Sequence, residues 1–409
     1  MPTTETYAAQ WPRFRGPVGS GVSAWSDMPD RWDGTTGEGI LWKVEVPLPG
    51  YNSPIVWEDR VFVSGATDSE QAVFCFDADS GALRWRRDIP PPVPGKEPLE
   101  VSEFTGYAAP TMATDGVRAY AVFASGDVVA VNFEGNQQWC QRLGPPVSAW
   151  GHASSLATYG SLLIVQFDQG KKADGRSRLM ALDGATGRVV WEVAREVPAS
   201  WASPIVVPRT TGDGHLLITS ANPWVIAYAP ENGREEWRAR CLGGEIGPSP
   251  VMHAGVVYAA NETGGMAAIR ADGQGDVTET HIEWRTDINV PDVCSPLVTD
   301  EYVLLLKSGL LACFDRKGGD DPEPLWEEDL MEDVSSSPAL VGDRVYIFSN
   351  AGPAWILQPK ADQCERIREC EMGEPCRTSP AFQPGRIYIR GDHHLFCIGA
   401  GTAEEKPGQ

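Results

Sequence analysis

No stretch of about 18 apolar residues occurs in this 409-residue chain, and the first 30 residues carry no basic segment followed by an apolar one. A membrane-inserted helix is therefore not expected, and no secretory leader is visible. As it stands the chain is expected in the cytoplasm, or in the periplasm if a leader has been removed from its front. Cations are scarce: 34 Lys and Arg stand against 56 Asp and Glu, a net charge of −22. Nucleic-acid backbones and anionic membranes reward clustered Lys and Arg, so neither is expected as a partner. A cationic ligand or partner, or solubility alone, fits the charge better. The nine cysteines cannot all pair and include no adjacent pair and no C-x-x-C. Phrases of the type G-x-S-x-G, H-E-x-x-H and the P-loop are missing as well.

What the chain does have is a repeated phrase. Ala181-Leu182-Asp183-Gly184-Ala185-Thr186-Gly187-Arg188-Val189-Val190-Trp191 has close copies at 75–85 and 227–237, and looser ones end at Trp139, Trp284 and Trp326. Between copies stands a second phrase: Ser53-Pro54, Ala109-Pro110, Ser203-Pro204, Ser249-Pro250, Ser295-Pro296, Ser337-Pro338 and Ser379-Pro380, with Ser155-Leu156 filling the gap. That makes eight units, the second residues of the phrase lying 56, 46, 48, 46, 46, 42 and 42 positions apart. A period in the forties with short β-rich runs and Gly turns predicts an all-β fold, an eight-bladed β-propeller of four-stranded antiparallel blades.

Within one unit the physical reasons are local. Asp77 and Asp183 can bond their own backbone two residues on, and Gly81 and Gly187 accept the positive φ of a tight hairpin. Proline cannot donate to a ladder, so Ser-Pro is expected to open the innermost strand. The recurrent tryptophans Trp42, Trp85, Trp139, Trp191, Trp237, Trp284 and Trp326 are expected on outer strands, packed at the blade seams opposite a small Ala or Cys. Cys75, Cys313 and Cys397 read as buried substitutes for that alanine. Because the eighth unit ends at Gly399 without a tryptophan strand, the N-terminal strand around 41–46 should close the ring by completing the last blade. Unit seven departs, with Cys364 to Glu371 where a tryptophan strand belongs. The expected organisation is an N-terminal extension at 1–40 packed on the ring, the propeller at 41–399, and a disordered tail at 400–409. Residues 1–10 also lack apolar pattern and are expected to be loose.

Every unit enters its inner strand from the same face, so the residues just before each inner strand should gather at one mouth of the central channel. Those are Tyr51, Asn52, Glu103, Tyr107, Trp150, His152, Trp201, Asp292 and Arg377. Aromatics with a carboxylate, an imidazole and a guanidinium suit a sugar, a peptide end or a planar ring; ordinary packing that closes the channel is the competing reading. Other clusters are poorer. His393 and His394 are neighbours on a strand and point to opposite faces, Cys364, Cys370 and Cys376 are too widely spaced for zinc, and Asp272 with Asp276 fits a solvated hairpin tip better than a calcium loop. No metal site is expected.

Three further phrases carry a resemblance: Trp11-Pro12-Arg13-Phe14-Arg15-Gly16-Pro17, residues 264–270 leading to 275–281, and the terminal His394-Leu395-Phe396-Cys397-Ile398-Gly399. With the repeats, they make the chain similar to the bacterial pyrroloquinoline-quinone-binding-like β-propeller repeat proteins over about residues 11–399. The wider superfamily includes quinoprotein alcohol dehydrogenases and the outer-membrane barrel-assembly lipoprotein. The resemblance implies an eight-bladed ring and leaves cofactor use open, because fold does not license function. The adjacent-cysteine disulfide expected of the dehydrogenases is absent here, as is C-x-x-C-H for covalent haem. The expectation is a monomeric, non-catalytic scaffold with no cofactor, binding an unknown protein or small polar ligand through its channel mouth and rim. The alternative is an alcohol or sugar dehydrogenase using pyrroloquinoline quinone and calcium, with Asp292 or Glu103 as base.

Overall fold

The computed structural model describes residues 3–90 and 99–399. Eight antiparallel sheets follow one another along the chain, each running from an inner strand outward in sequence order. The first comprises Ile55–Trp57, Arg60–Ala66, Gln71–Asp77 and Leu83–Asp88. The eighth takes Ala381–Gln383, Arg386–Arg390 and His394–Gly399, then borrows Ile40–Glu45 from the start of the chain as its outer strand. The protein is an eight-bladed β-propeller closed by its N-terminal strand, as its repeats predict.

The hairpin chemistry is as the residues dictate. Asp77 Oδ1 accepts from the Asp79 and Ser80 amides and the Ser80 hydroxyl, and Asp183 Oδ1 accepts from Thr186 in the same way. Gly81 and Gly187 follow at φ +72° and +71°. These glycines have a second duty. A Cβ on Gly187 would lie 2.6 Å from the Trp139 ring, and one on Gly81 2.7 Å from Trp42, each indole belonging to the preceding blade.

All seven seam tryptophans cross to the next blade. Their indole N–H groups donate to carbonyls of the following unit, for example Trp139 to Gly184 at 2.9 Å and Trp237 to Ala271 at 3.1 Å. Each stands opposite a small residue: Trp85 faces Cys75, Trp191 faces Ala181, Trp326 faces Cys313 and Trp42 faces Cys397. Burying a tryptophan removes about 150–250 Å² from water. In blade 7 the tryptophan position is held by Arg368, opposite Ile356. Trp32 from the N-terminal extension stacks on Tyr346 and Phe348 instead, so the extension supplies the aromatic that this blade lacks.

At the inner edge, the second phrase builds a circuit. The Ser53 amide donates to Thr111 Oγ1, Thr111 to Ser155, Ser155 to Ser203, Ser203 to Ser249, Ser249 to Ser295, Ser295 to Ser337, Ser337 to Ser379, and Ser379 back to Ser53, all at 2.9–3.0 Å. This corrects one register. In blade 2 the phrase is Thr111-Met112, not Ala109-Pro110, because Thr111 carries the hydroxyl and Ala113 pairs with Tyr120 as Ile55 pairs with Phe62. The first two spacings are therefore 58 and 44.

One further expectation changes. Thr4–Ala8 form a short helix where loose chain is expected, anchored by Tyr7 against Trp57 and by its hydroxyl to Thr158 Oγ1 at 2.9 Å. Asp272 and Asp276 are exposed on the turn-rich connection expected for them, and that connection has a further role: Gly275–Asp276 add in parallel to the outer strand of blade 4, Glu235–Arg240, with Val277 buried beside it. The expected disordered tail at 400–409 lies outside the described residues.

Candidate functional site

The loops that feed the inner strands surround a cavity of about 1060 Å³. All eight residues of the hydroxyl circuit line it. The channel is not open beneath. Residues 11–22 cross it: Trp11 bridges to Val56, Pro12 O accepts from the Thr114 amide, and Val22 bridges to Leu340. Between these anchors Arg13 donates to Pro204 O, and Arg15 to Pro296 O at 2.9 Å and Pro338 O at 3.3 Å. The prolines of the repeated phrase thus offer inward carbonyls to two guanidinium forks. Phe14, between them in sequence, lines the cavity. The site is a cup with a floor.

Arg13 and Arg15 are buried, and Nε and Nη1 of each have no partner in the structure. Burial pushes them down from 12.5 to about 10 and about 9. Removing a cation from water without a counter-charge is unfavourable, and no carboxylate pairs with either among the described residues.

Six of the nine sequence candidates line the cup: Tyr51, Glu103, Trp150, Trp201, Asp292 and Arg377. Trp150 donates Nε1–H to Glu245 Oε2 at 2.8 Å and meets Phe104 edge-on at 5.7 Å. Trp201 donates to Ser148 Oγ and Gly151 O. Arg377 sits 5.2 Å over the Tyr51 ring, bonds its hydroxyl at 3.2 Å, and lies 3.7 Å from Asp392.

Three candidates do not line the cup. Asn52 is fully buried and clamps Ser64 and Ala108, taking a further bond from Arg390. Tyr107 donates to Leu99 O and packs in the cluster of blades 1 and 2. His152 is buried against Phe167, its Nε2 unpartnered, and desolvation lowers its pKa to about 4. Next neighbours in extended chain face opposite ways, so not every residue before an inner strand can face the channel. The cup also contains residues that the sequence reading passed over. Phe104 and Glu245 belong to other parts of the mouth loops, Glu262 and Thr263 to a hairpin turn of blade 5, Asn350 to the equivalent turn of blade 7, and Phe14 to the crossing segment.

The sequence profile described as "Outer membrane protein assembly factor BamB" matches residues 31–194 and 175–369. The chain belongs to this family. Two proteins of that name are similar to it. One from Alkalilimnicola ehrlichii is 29% identical over 224 residues, 54% of this chain and 52% of the relative. One from Burkholderia pseudomallei is 24% identical over 308 residues, 69% of this chain and 70% of the relative. The match thus spans about half the length of the first relative. Among solved structures, BamB from Moraxella catarrhalis superposes with a TM-score of 0.64 at 16% identity, covering 89% of this chain and 98% of that one. A quinohemoprotein alcohol dehydrogenase from Comamonas testosteroni gives 0.66 at 12%, covering 98% and 82%. These identities show a shared fold and nothing finer.

The quinone and calcium of the dehydrogenase reading can be tested on the residues. Calcium needs several oxygens converging at 2.3–2.6 Å. Among the described residues no group of three or more His, Cys, Asp or Glu gathers as a cage. Glu245 is engaged by the Trp150 indole and Glu262 by Lys307 at 2.9 Å. All nine cysteines are free. The cup does not fit a calcium–quinone pair, and no step is derived through one.

Proposed function

We propose that this protein is a non-catalytic scaffold of outer-membrane protein assembly that docks a protein partner on its cup face. Family membership supports the process, and the relatives' names favour the periplasmic alternative over the cytoplasmic one. The observation that carries the docking face is apolar exposure on the loops feeding the inner strands: Phe104 is 70% exposed, Met331 80%, Val293 51% and Val147 50%. Large side chains so exposed around one rigid rim mark an interaction surface. The net charge of −22 adds a preference for a basic partner surface.

The double variant Phe104→Ser with Met331→Ser tests this reading. Association with the purified barrel-assembly machinery of the source cell should fall at least tenfold by surface plasmon resonance, with the melting temperature within a few degrees of the parent. Undiminished association would remove the cup face from the reading. Cell fractionation tests the compartment, since recovery in the cytosol would count against the assembly role itself.

A further inference from the structure

The eight hydroxyls of the inner circuit have each used one of two acceptor lone pairs and not their O–H donor. Each accepts one backbone N–H, and none has a second partner among the described residues. A Ser or Thr hydroxyl also carries a proton to donate. All eight side chains are at least nine-tenths buried, yet every one lines the cup. The base of the cup is therefore a ring of unused O–H donors, and the segment that forms the floor carries Arg13 and Arg15, whose Nε and Nη1 lack partners while Nη2 of each is held by proline carbonyls. It asks for acceptor atoms.

The rim asks for the opposite. Glu103, Glu245, Glu262 and Asp292 line the cup, and Arg377 is the one Lys or Arg among the lining residues. Carboxylates accept and do not donate. A cation is favoured at the rim and opposed at the base; an anion is favoured at the base and opposed at the rim. A neutral ligand whose every polar group both donates and accepts satisfies the two ends together. Aromatic faces at Phe14, Trp150 and Trp201 add surfaces against which C–H groups can lie. The cavity, about 1060 Å³, is at the upper end of the range that buries a drug-sized molecule, roughly 300–1,000 Å³.

We infer that the cup binds a neutral carbohydrate, an oligosaccharide whose hydroxyls bridge the donor ring and the acidic rim while its apolar faces lie on the aromatic residues. This binding goes beyond the protein docking proposed above: it uses the interior of the cup, to which Phe104 and Val293 also contribute, whereas Met331 stands on the rim outside the cup lining.

The test is tryptophan fluorescence titration and calorimetry of the intact protein. The probes are uncharged gluco-, manno-, galacto- and N-acetylglucosamine oligosaccharides of two to six units, beside oligogalacturonate as anion and oligoglucosamine as cation. Saturable binding of at least one neutral series is expected, weakened at least tenfold by Trp201→Ala and retained in the Met331→Ser variant, whose side chain lies outside the cup lining. A Val190→Ser variant on the outer strand of blade 3, remote from the cup, should bind as the parent does, and far-ultraviolet circular dichroism of Trp201→Ala guards against misreading a folding defect. Binding of none of the neutral series overturns the inference. So does preference for either charged series, or neutral binding that Trp201→Ala leaves unchanged.

Discussion

The backbone amide of Ser379 donates to the hydroxyl of Ser53 at 3.0 Å, across 326 positions of sequence. It is the last link of the inner circuit and joins the inner strands of blades 8 and 1, while the covalent chain connects these blades only from the borrowed outer strand, through residues 46–54. A buried N–H deprived of its acceptor costs about 1–3 kcal/mol. Each link is therefore a stability element in its own right.

Ser249→Ala should destabilise the protein by about 1–3 kcal/mol in urea unfolding, because the Ser203 amide loses its acceptor. Ser249→Thr should cost less, since Thr111 already performs the same task in blade 2. Equal losses for the two variants would show that the hydroxyl is not what matters.

Trp237→Ala removes a fully buried indole whose N–H reaches Ala271 across the seam. A cost of about 3–5 kcal/mol is expected from chemical denaturation. Trp191, only partly buried, should cost less on the same substitution.

Gly187→Ala meets two obstacles at once. Its φ is +71°, and the new Cβ would stand 2.6 Å from the Trp139 ring. The left-handed conformation alone costs roughly 1–2 kcal/mol and overpacking adds to it, so a loss of about 2–4 kcal/mol is expected. Gly160→Ala is the control: its φ is also positive, at +53°, but nothing lies within 4 Å.

His152 predicts a pH dependence. Burial lowers its pKa from 6.5 to about 4, so between those values the unfolded chain binds the proton and the folded one does not. Stability should therefore fall as pH drops from about 6.5 to 4, by roughly 3 kcal/mol from this group. His152→Leu should flatten that slope in a pH series of urea melts while leaving stability at pH 7.5 nearly unchanged. An identical slope in the variant would place the titration elsewhere.

Much of the ring was legible because the residues that build it recur for fixed reasons. The Asp that folds its hairpin, the Gly that accepts both a positive φ and an indole, and the Trp that spans the seam are the same contact repeated. Blade 2 misled because Pro110 imitates the phrase while the hydroxyl resides on Thr111. The cup was only half legible. Trp150 and Trp201 stood out because the seam did not account for them, but facing direction separates Tyr51 from Asn52 and sequence order does not reveal it. Phe14 and Glu262 reach the cup from a crossing segment and a hairpin tip, so proximity to an inner strand could not find them. Arg13 and Arg15 stood in a quoted phrase, yet their place under the cup depends on where the whole ring puts its proline carbonyls.

The segment from Trp11 to Val22 touches blades 1, 2, 4, 6 and 7, and the strand that follows it completes blade 8. Trp11 and Pro12 meet partners that follow soon after them, Val56 and Thr114, whereas Arg15, Val22 and the strand at 40–45 wait for residues between 296 and 398. Blades can assemble in order during synthesis, but the cup floor must wait for blade 7 and the final sheet for residues 394–399. Contacts of such long range form slowly, and until they do the outermost edge of blade 8 stays bare. Completion of the cup and closure of the ring are thus late and successive events, and synthesis stopped before residue 338 yields neither a closed ring nor a floored cup.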